Sequence, residues 1–71
     1  MIDAPPGELI AAQDFKVGDR LFLSAQTHWV VRITKEEYVC RLWLAPTPDG
    51  DAEWKPIFPY DRMLFRVAPT P

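Results

Sequence analysis

The sequence predicts a small all-β domain, and three observations support this prediction. The chain has 71 residues, which is enough for one domain with a thin hydrophobic core. It contains eight prolines, which disfavour long helices because proline has no backbone N–H. Its apolar residues occur in short runs of β-forming types, and turn signals separate these runs.

Residues 1–14 are predicted to form an N-terminal arm ahead of the domain. The sequence PPG in this segment suits the start of one helical turn, which would carry Leu9 and Ile10. The domain itself is expected to span residues 15–68. Residues 69–71 are expected to be a loose tail.

The first two strands of the domain follow a clear turn signal. The sequence VGD precedes the strand Arg20–Leu23, which would point Leu21 and Leu23 inward. After a polar break, the sequence HWVVRIT is rich in β-forming residues and predicts the second strand. We assign its Trp29 and Ile33 to the hydrophobic core.

The third strand, residues 38–44, carries apolar side chains on both faces, unlike a strand with one solvated face. Its two faces are Tyr38, Cys40, Leu42 and Leu44 on one side and Val39, Arg41 and Trp43 on the other. We expect the first set to face the core. A register shifted by one residue would reverse the faces and bury Trp43.

The last two strands are shorter. The sequence APTPDGDAE is a loop, and residues 54–58 after it form a strand whose Pro56 must lie at an edge or a bulge. A turn at residues 59–62 leads to the final strand, residues 64–67, whose Leu64 is assigned to the core. Five short strands without an intervening helix predict a small five-stranded SH3-like barrel.

The sequence offers no set of residues for catalysis or metal binding. Cys40 is the only cysteine, and its position in mid-strand indicates a core residue rather than a nucleophile. His28 has no second histidine beside it and is expected to be a hydrogen-bonded surface residue. Asp49, Asp51 and Glu53 are expected to form a solvated acidic turn, because a calcium loop needs more ligands.

The distribution of charge predicts a binding face. Arginines occur within the predicted strands, whereas acidic residues occur in the arm, turns and loops. Arg41 shares a face with Trp43, and both residue types are enriched at the energetic centres of interfaces. Alternatively, the arm or the acidic loop covers Trp43. The predicted partner-binding residues are Arg20, Phe22, Arg32, Arg41, Trp43, Trp54 and Tyr60.

Three kinds of partner suit such a face. A second copy of the chain would enlarge the thin core, and a different, acidic protein would match the arginines. Single-stranded nucleic acid is disfavoured because the net charge is −2 and the loops are acidic. Trp54, Phe58 and Tyr60 could instead supply part of an aromatic cage.

No apolar run approaches the roughly 18 residues of a membrane span, so we expect a cytoplasmic protein and no membrane partner.

The stretch FKVGDRLFLSA and the later IFP resemble the small bacterial YodC-like family, which consists of SH3-like proteins of uncharacterised function. The resemblance covers most of residues 15–65 and implies the same fold. The matching positions are Phe15, Gly18, Asp19, Leu21, Leu23, Ser24, Val31, Cys40, Phe58 and Pro59.

A weaker resemblance is to the plasmid-encoded type II dihydrofolate reductases, which are also small SH3-like barrels. The stretch GDRLFLSA followed by Trp29 is similar to their opening, and the stretch from IFP to RVA is similar to their end. This resemblance implies a tetramer with one central pore that binds NADPH and dihydrofolate. Only Ile57 of their V-Q-I-Y motif is kept, since Pro56 and Phe58 replace its Gln and Tyr.

From the sequence we expect a small SH3-like interaction module without a catalytic function or a cofactor. It would self-associate or bind a protein partner through its arginine and aromatic face. One alternative is a divergent type II reductase that binds NADPH and acts as a tetramer. Another is a small phage or bacterial inhibitor of a larger complex, because short inhibitors share no motif.

Overall fold

The computed structural model describes residues 5–69, which form a single antiparallel sheet of six strands. No helix in this part of the chain is long and apolar enough to cross a membrane. The strand order across the sheet is β1-β6-β2-β3-β4-β5. The strands are β1 (Gly7–Ala11), β2 (Arg20–Leu23), β3 (Gln26–Lys35), β4 (Val39–Ala45), β5 (Ile57–Pro59) and β6 (Met63–Val67).

The sheet is strongly curled. Strands β5 and β6 lie four strand spacings apart in the order, which in a flat sheet would be about 19 Å. Only residues 60–62 connect them, and a chain of this length reaches at most about 14 Å from Pro59 to Met63. The sheet must therefore bend to bring β5 towards β6, which encloses the hydrophobic core on its inner side.

The core lies on the concave, inner face of this sheet. Its buried members come from β2, β3, β4, β6 and the segment between β1 and β2. They are Ala12, Phe15, Leu21, Val30, Cys40, Leu42, Leu44 and Leu64. The partly buried side chains packed against them are Ile10, Leu23, Ile33, Phe58 and Tyr60.

The predicted register of β4 is confirmed. Cys40, Leu42 and Leu44 are at most 1% exposed on the inner face, while Trp43 lies on the outer face opposite Arg32 of β3. Tyr38 was expected to share the inner face, but it lies before the strand begins and is exposed.

The assignment of Trp29 to the core is wrong, and a β-bulge is the reason. In β3, Val30 pairs with Leu44 and Arg32 pairs with Trp43, so Val31 between them is an extra residue. A bulge of this kind changes which side chains face inward. As a result, Val30 is buried in the core, and Trp29 lies on the outer face.

The predicted helical turn in the arm is also wrong. Residues 7–11 form strand β1, which pairs with β6 at the far end of the chain, and only residues 12–14 form a short 3-10 helix. A Cβ atom at Gly7 would overlap the carbonyl oxygen of Arg66, so glycine allows β1 to approach β6 closely. The rest of the predicted arm, residues 1–4, and the last two residues of the predicted tail lie outside the described residues.

Candidate functional site

Trp43 is the centre of a cluster on the outer face of the sheet. The guanidinium carbon of Arg32 lies 4.8 Å from the centroid of the indole ring. The ammonium nitrogen of Lys55 lies 4.7 Å from the same centroid. The indole N–H donates a hydrogen bond of 3.5 Å to the hydroxyl oxygen of Thr34. Both cations are within the range of cation–π attraction, so they hold the partly buried ring in place.

The pairing of strands brings further residues to this cluster. Arg41 is two residues before Trp43 in β4, so its side chain emerges on the same face. It pairs with Thr34 on one side and with Ile57 of β5 on the other. We refer to this surface as the Trp43 face. Its residues are Arg32, Thr34, Arg41, Trp43, Lys55 and Ile57.

Among the described residues, the cations of the Trp43 face have no carboxylate partner. Within residues 5–69, no carboxylate oxygen lies within 4.0 Å of a side-chain nitrogen of Arg32, Arg41 or Lys55. In contrast, Arg66 forms ion pairs with both Glu8 and Asp19. The Trp43 face is therefore a local positive surface on a chain whose net charge is −2.

Arg20 and Phe22 lie on the outer face of β2, in a separate cluster. The guanidinium carbon of Arg20 lies 5.4 Å from the centroid of Trp29, and its Nη2 donates a hydrogen bond of 2.6 Å to the carbonyl oxygen of Ala68. Phe22 packs edge-to-face against Phe65 with a centroid distance of 6.2 Å. These two side chains are engaged in contacts within the molecule.

The structure places Trp54 and Tyr60 away from the Trp43 face. Trp54 bridges to Leu44 and packs edge-to-face against His28 with a centroid distance of 5.5 Å. Tyr60 packs against the core, and its hydroxyl donates a hydrogen bond to the carbonyl oxygen of Glu36. Among the described residues, no ring contact joins Trp54 to Phe58 or Tyr60, so these rings do not form an aromatic cage.

Two outcomes follow for the predicted binding residues. Of the seven, Arg32, Arg41 and Trp43 come together, while the others lie elsewhere. Lys55 and Ile57 belong to the Trp43 face but were not among the predicted binding residues. Lys55 lies two residues before Ile57, the first residue of β5. This spacing was the available signal, since alternate residues of an extended segment share a face.

Within the described residues, the strand formed by the predicted arm is not a neighbour of the strand that carries Trp43. Strand β1 lies at the opposite edge of the sheet, separated from β4 by β6, β2 and β3. Lys55, which follows the acidic loop, places its ammonium nitrogen 4.7 Å from the centroid of the indole ring. Trp43 therefore contacts the charged side chains of Arg32 and Lys55 and the hydroxyl group of Thr34.

Cys40 and His28 have the surroundings of structural residues. Burial raises the pKa of the Cys40 thiol, an effect that the nearby charge of Lys35 partly offsets. A thiol with a raised pKa is a poor nucleophile at neutral pH. The Nε2 atom of His28 lies 3.3 Å from the carbonyl oxygen of Leu23. Within residues 5–69, no group of three or more histidine, cysteine or acidic side chains could hold a metal ion.

Comparison of the chain with protein-family models, curated proteins and solved structures gave no match.

Proposed function

We propose that this protein is a small SH3-like interaction module that binds an acidic segment of a partner protein through the Trp43 face. The observation that carries the proposal is the group of three cations, Arg32, Arg41 and Lys55, on one face with a partly buried tryptophan. Arg32 and Lys55 contact its ring, and no carboxylate within residues 5–69 pairs with any of the three. Tryptophan and arginine contribute strongly to binding when a partner removes them from water.

The barrel part of the proposal is supported by strand order. Strands β2 to β5 follow one another in the sheet, and β6 returns to lie beside β2. The short connection between β5 and β6 requires the sheet to curl. Five strands arranged in this way are expected of an SH3-like barrel, with β1 as an added edge strand.

Charge favours an acidic partner over a second copy bound face to face. Two Trp43 faces brought together would place two sets of the same cations opposite each other, and like charges at an interface oppose association. Stacking on the indole ring also leaves the N–H donors of Arg32 and Lys55 able to reach carboxylates, since both side chains are exposed. A cytoplasmic location is part of this proposal.

The experiment is a selection of random displayed peptides on the immobilised protein, followed by affinity measurement of the selected peptides. We expect selected sequences rich in Asp and Glu, whose binding shifts the indole N–H signal of Trp43 in NMR spectra. The charge reversal Arg32→Glu should weaken binding by about tenfold or more. Arg62→Glu, which makes the same charge change at an exposed turn residue outside the face, is the matched control.

Some outcomes would contradict the proposal. Selected peptides without enrichment in acidic residues would contradict the acidic partner. Equal binding by the Arg32→Glu and wild-type proteins would show that the Trp43 face is not the site. The reductase alternative rests on Ile57, which is 49% exposed on the outer face. Oxidation of NADPH in the presence of dihydrofolate would favour that alternative, and the module should cause none.

A further inference from the structure

The two edges of the sheet differ in how they are protected from other strands. The β5 edge is only three residues long and ends at Pro59, and short edges with proline resist pairing. The β1 edge is the five-residue strand GELIA, whose pairing with β6 is continuous from Gly7 to Ala11. The strand itself contains no lysine, proline or bulge. Pro5 and Pro6 precede it, and its one charged residue, Glu8, is held in an ion pair with Arg66.

The backbone groups of β1 divide between its two sides. The Ala12 N–H donates to the carbonyl oxygen of Arg62, and the Ala68 N–H donates to that of Pro6, each at 2.8 Å. Hydrogen-bonding pairs alternate along an antiparallel ladder, so even-numbered residues of this segment point their backbone groups towards β6. The N–H and C=O groups of the odd-numbered residues therefore point away from the sheet. Those residues are Gly7, Leu9 and Ala11.

The outer face of the sheet beside the β1 edge is also apolar. Leu9 in the centre of the strand is 62% exposed, and Met63 on the neighbouring strand is 53% exposed. Met63 pairs with Ala11, and Phe65 pairs with Leu9, so all three large side chains lie on the outer face next to the edge. The nearest charged residue in the strand, Glu8, forms an ion pair with Arg66 on the inner face.

We propose that β1 is a dimerisation edge, to which a second copy of this chain adds its own β1 in antiparallel orientation about a twofold axis at Leu9. In this register Leu9 faces Leu9 of the second copy, and Gly7 faces Ala11. Each outward N–H then meets an outward carbonyl group. The proposal concerns a different surface from the Trp43 face and does not rest on it.

Self-complementarity is the reason for choosing a second copy as the occupant. A twofold axis at Leu9 places Glu8 opposite Ile10 of the second copy, so no like charges face each other across the new pair. Glycine and alanine on either side of Leu9 leave room for the two leucine side chains. Because only five residues pair, we expect a weak dimer that forms with increasing concentration.

The test combines sedimentation with amide hydrogen exchange measured by NMR, between about 10 μM and about 1 mM protein. We expect a dimer at the higher concentration. The amides of Gly7, Leu9 and Ala11 should exchange more slowly there than at the lower concentration. The Ile10 amide, which points towards β6, should be protected at both concentrations.

Two variants separate loss of the dimer from loss of the fold. Leu9→Lys places two lysines opposite each other and should weaken dimerisation by about tenfold or more. Val17→Lys, at a residue that is 64% exposed in a turn, makes the same charge change and should leave the dimer unchanged. Leu9→Pro removes an outward N–H only, so it should abolish the dimer while Ile10 stays protected.

Three results would overturn the proposal. The first is a wild-type protein that stays monomeric at the highest concentration. The second is a dimer in which the amides of Gly7, Leu9 and Ala11 exchange at the same rate at both concentrations. The third is a dimer that survives Leu9→Lys but is lost in Trp43→Ala, which would assign self-association to the Trp43 face.

Discussion

On the inner face of β4, Cys40, Leu42 and Leu44 are at most 1% exposed, whereas on the outer face Arg41 and Trp43 are only partly buried. The two faces alternate along one strand, so they share the same backbone and the same neighbouring strands. Their surroundings differ completely. Apolar side chains enclose the inner face, while cations and a hydroxyl group surround the outer one.

This difference separates residues that stabilise the fold from residues that are available for binding. Burial of apolar surface is the main stabilising term in folding, and on β4 the inner face supplies most of it. The outer tryptophan is held by two cation–π contacts, each of which contributes roughly 0.5–1 kcal/mol when exposed. Changes on the two faces should therefore differ in their effects on stability and on binding.

The largest effect is expected from the inner face. Leu42→Ala removes a fully buried side chain, leaves a cavity, and should lower the free energy of unfolding by about 2–5 kcal/mol. That is a large fraction of the stability of a small domain. Urea denaturation followed by circular dichroism measures it, and a loss below about 1 kcal/mol would contradict the assignment of Leu42 to the core.

A smaller effect is expected from the outer face. Trp43→Ala removes the two cation–π contacts and part of a packed ring, and should lower the free energy of unfolding by about 1–2 kcal/mol. The same urea denaturation measures this loss directly beside that of Leu42→Ala. Equal losses for the two variants would mean that Trp43 is a structural residue, and the distinction between the faces would fail.

Much of this fold could be predicted from local sequence patterns. Alternation of residue types located five of the six strands, although the strand predicted over residues 54–58 spans only Ile57–Pro59. It also placed Leu42 inside and Trp43 outside. The bulge at Val31 could not be predicted in this way, because an inserted residue leaves no compositional signal. It reversed the face of Trp29, which had been assigned to the core.

Strand β1 was missed for a different reason. The residues of GELIA are compatible with a helical turn, and their partner strand lies at the other end of the chain. Pairing with β6 overrides local preference. The candidate site shows the same limit, since alternation brought Arg41 and Trp43 together, whereas the contact of Lys55 with the indole ring depends on how the chain returns after the loop.

The smallest effect is a pH dependence of stability from Cys40 on the inner face. Burial raises the pKa of its thiol above the unfolded value of about 8.5. Below that pH the thiol is protonated in both states and contributes no pH dependence. Above it, the unfolded state loses the proton while the native state keeps it, so the stability falls as pH rises.

A comparison with Cys40→Ala isolates this contribution from other groups that titrate at alkaline pH. The free energy of unfolding of the wild type should fall relative to the variant between pH 7 and about pH 9, by less than about 1 kcal/mol. Urea denaturation at each pH measures the difference between the two proteins. A difference that does not change with pH would mean that the thiol is solvated in the native state. Cys40 would then not belong to the dry inner face, and the contrast between the two faces of β4 would be weaker than the burial of its side chains indicates.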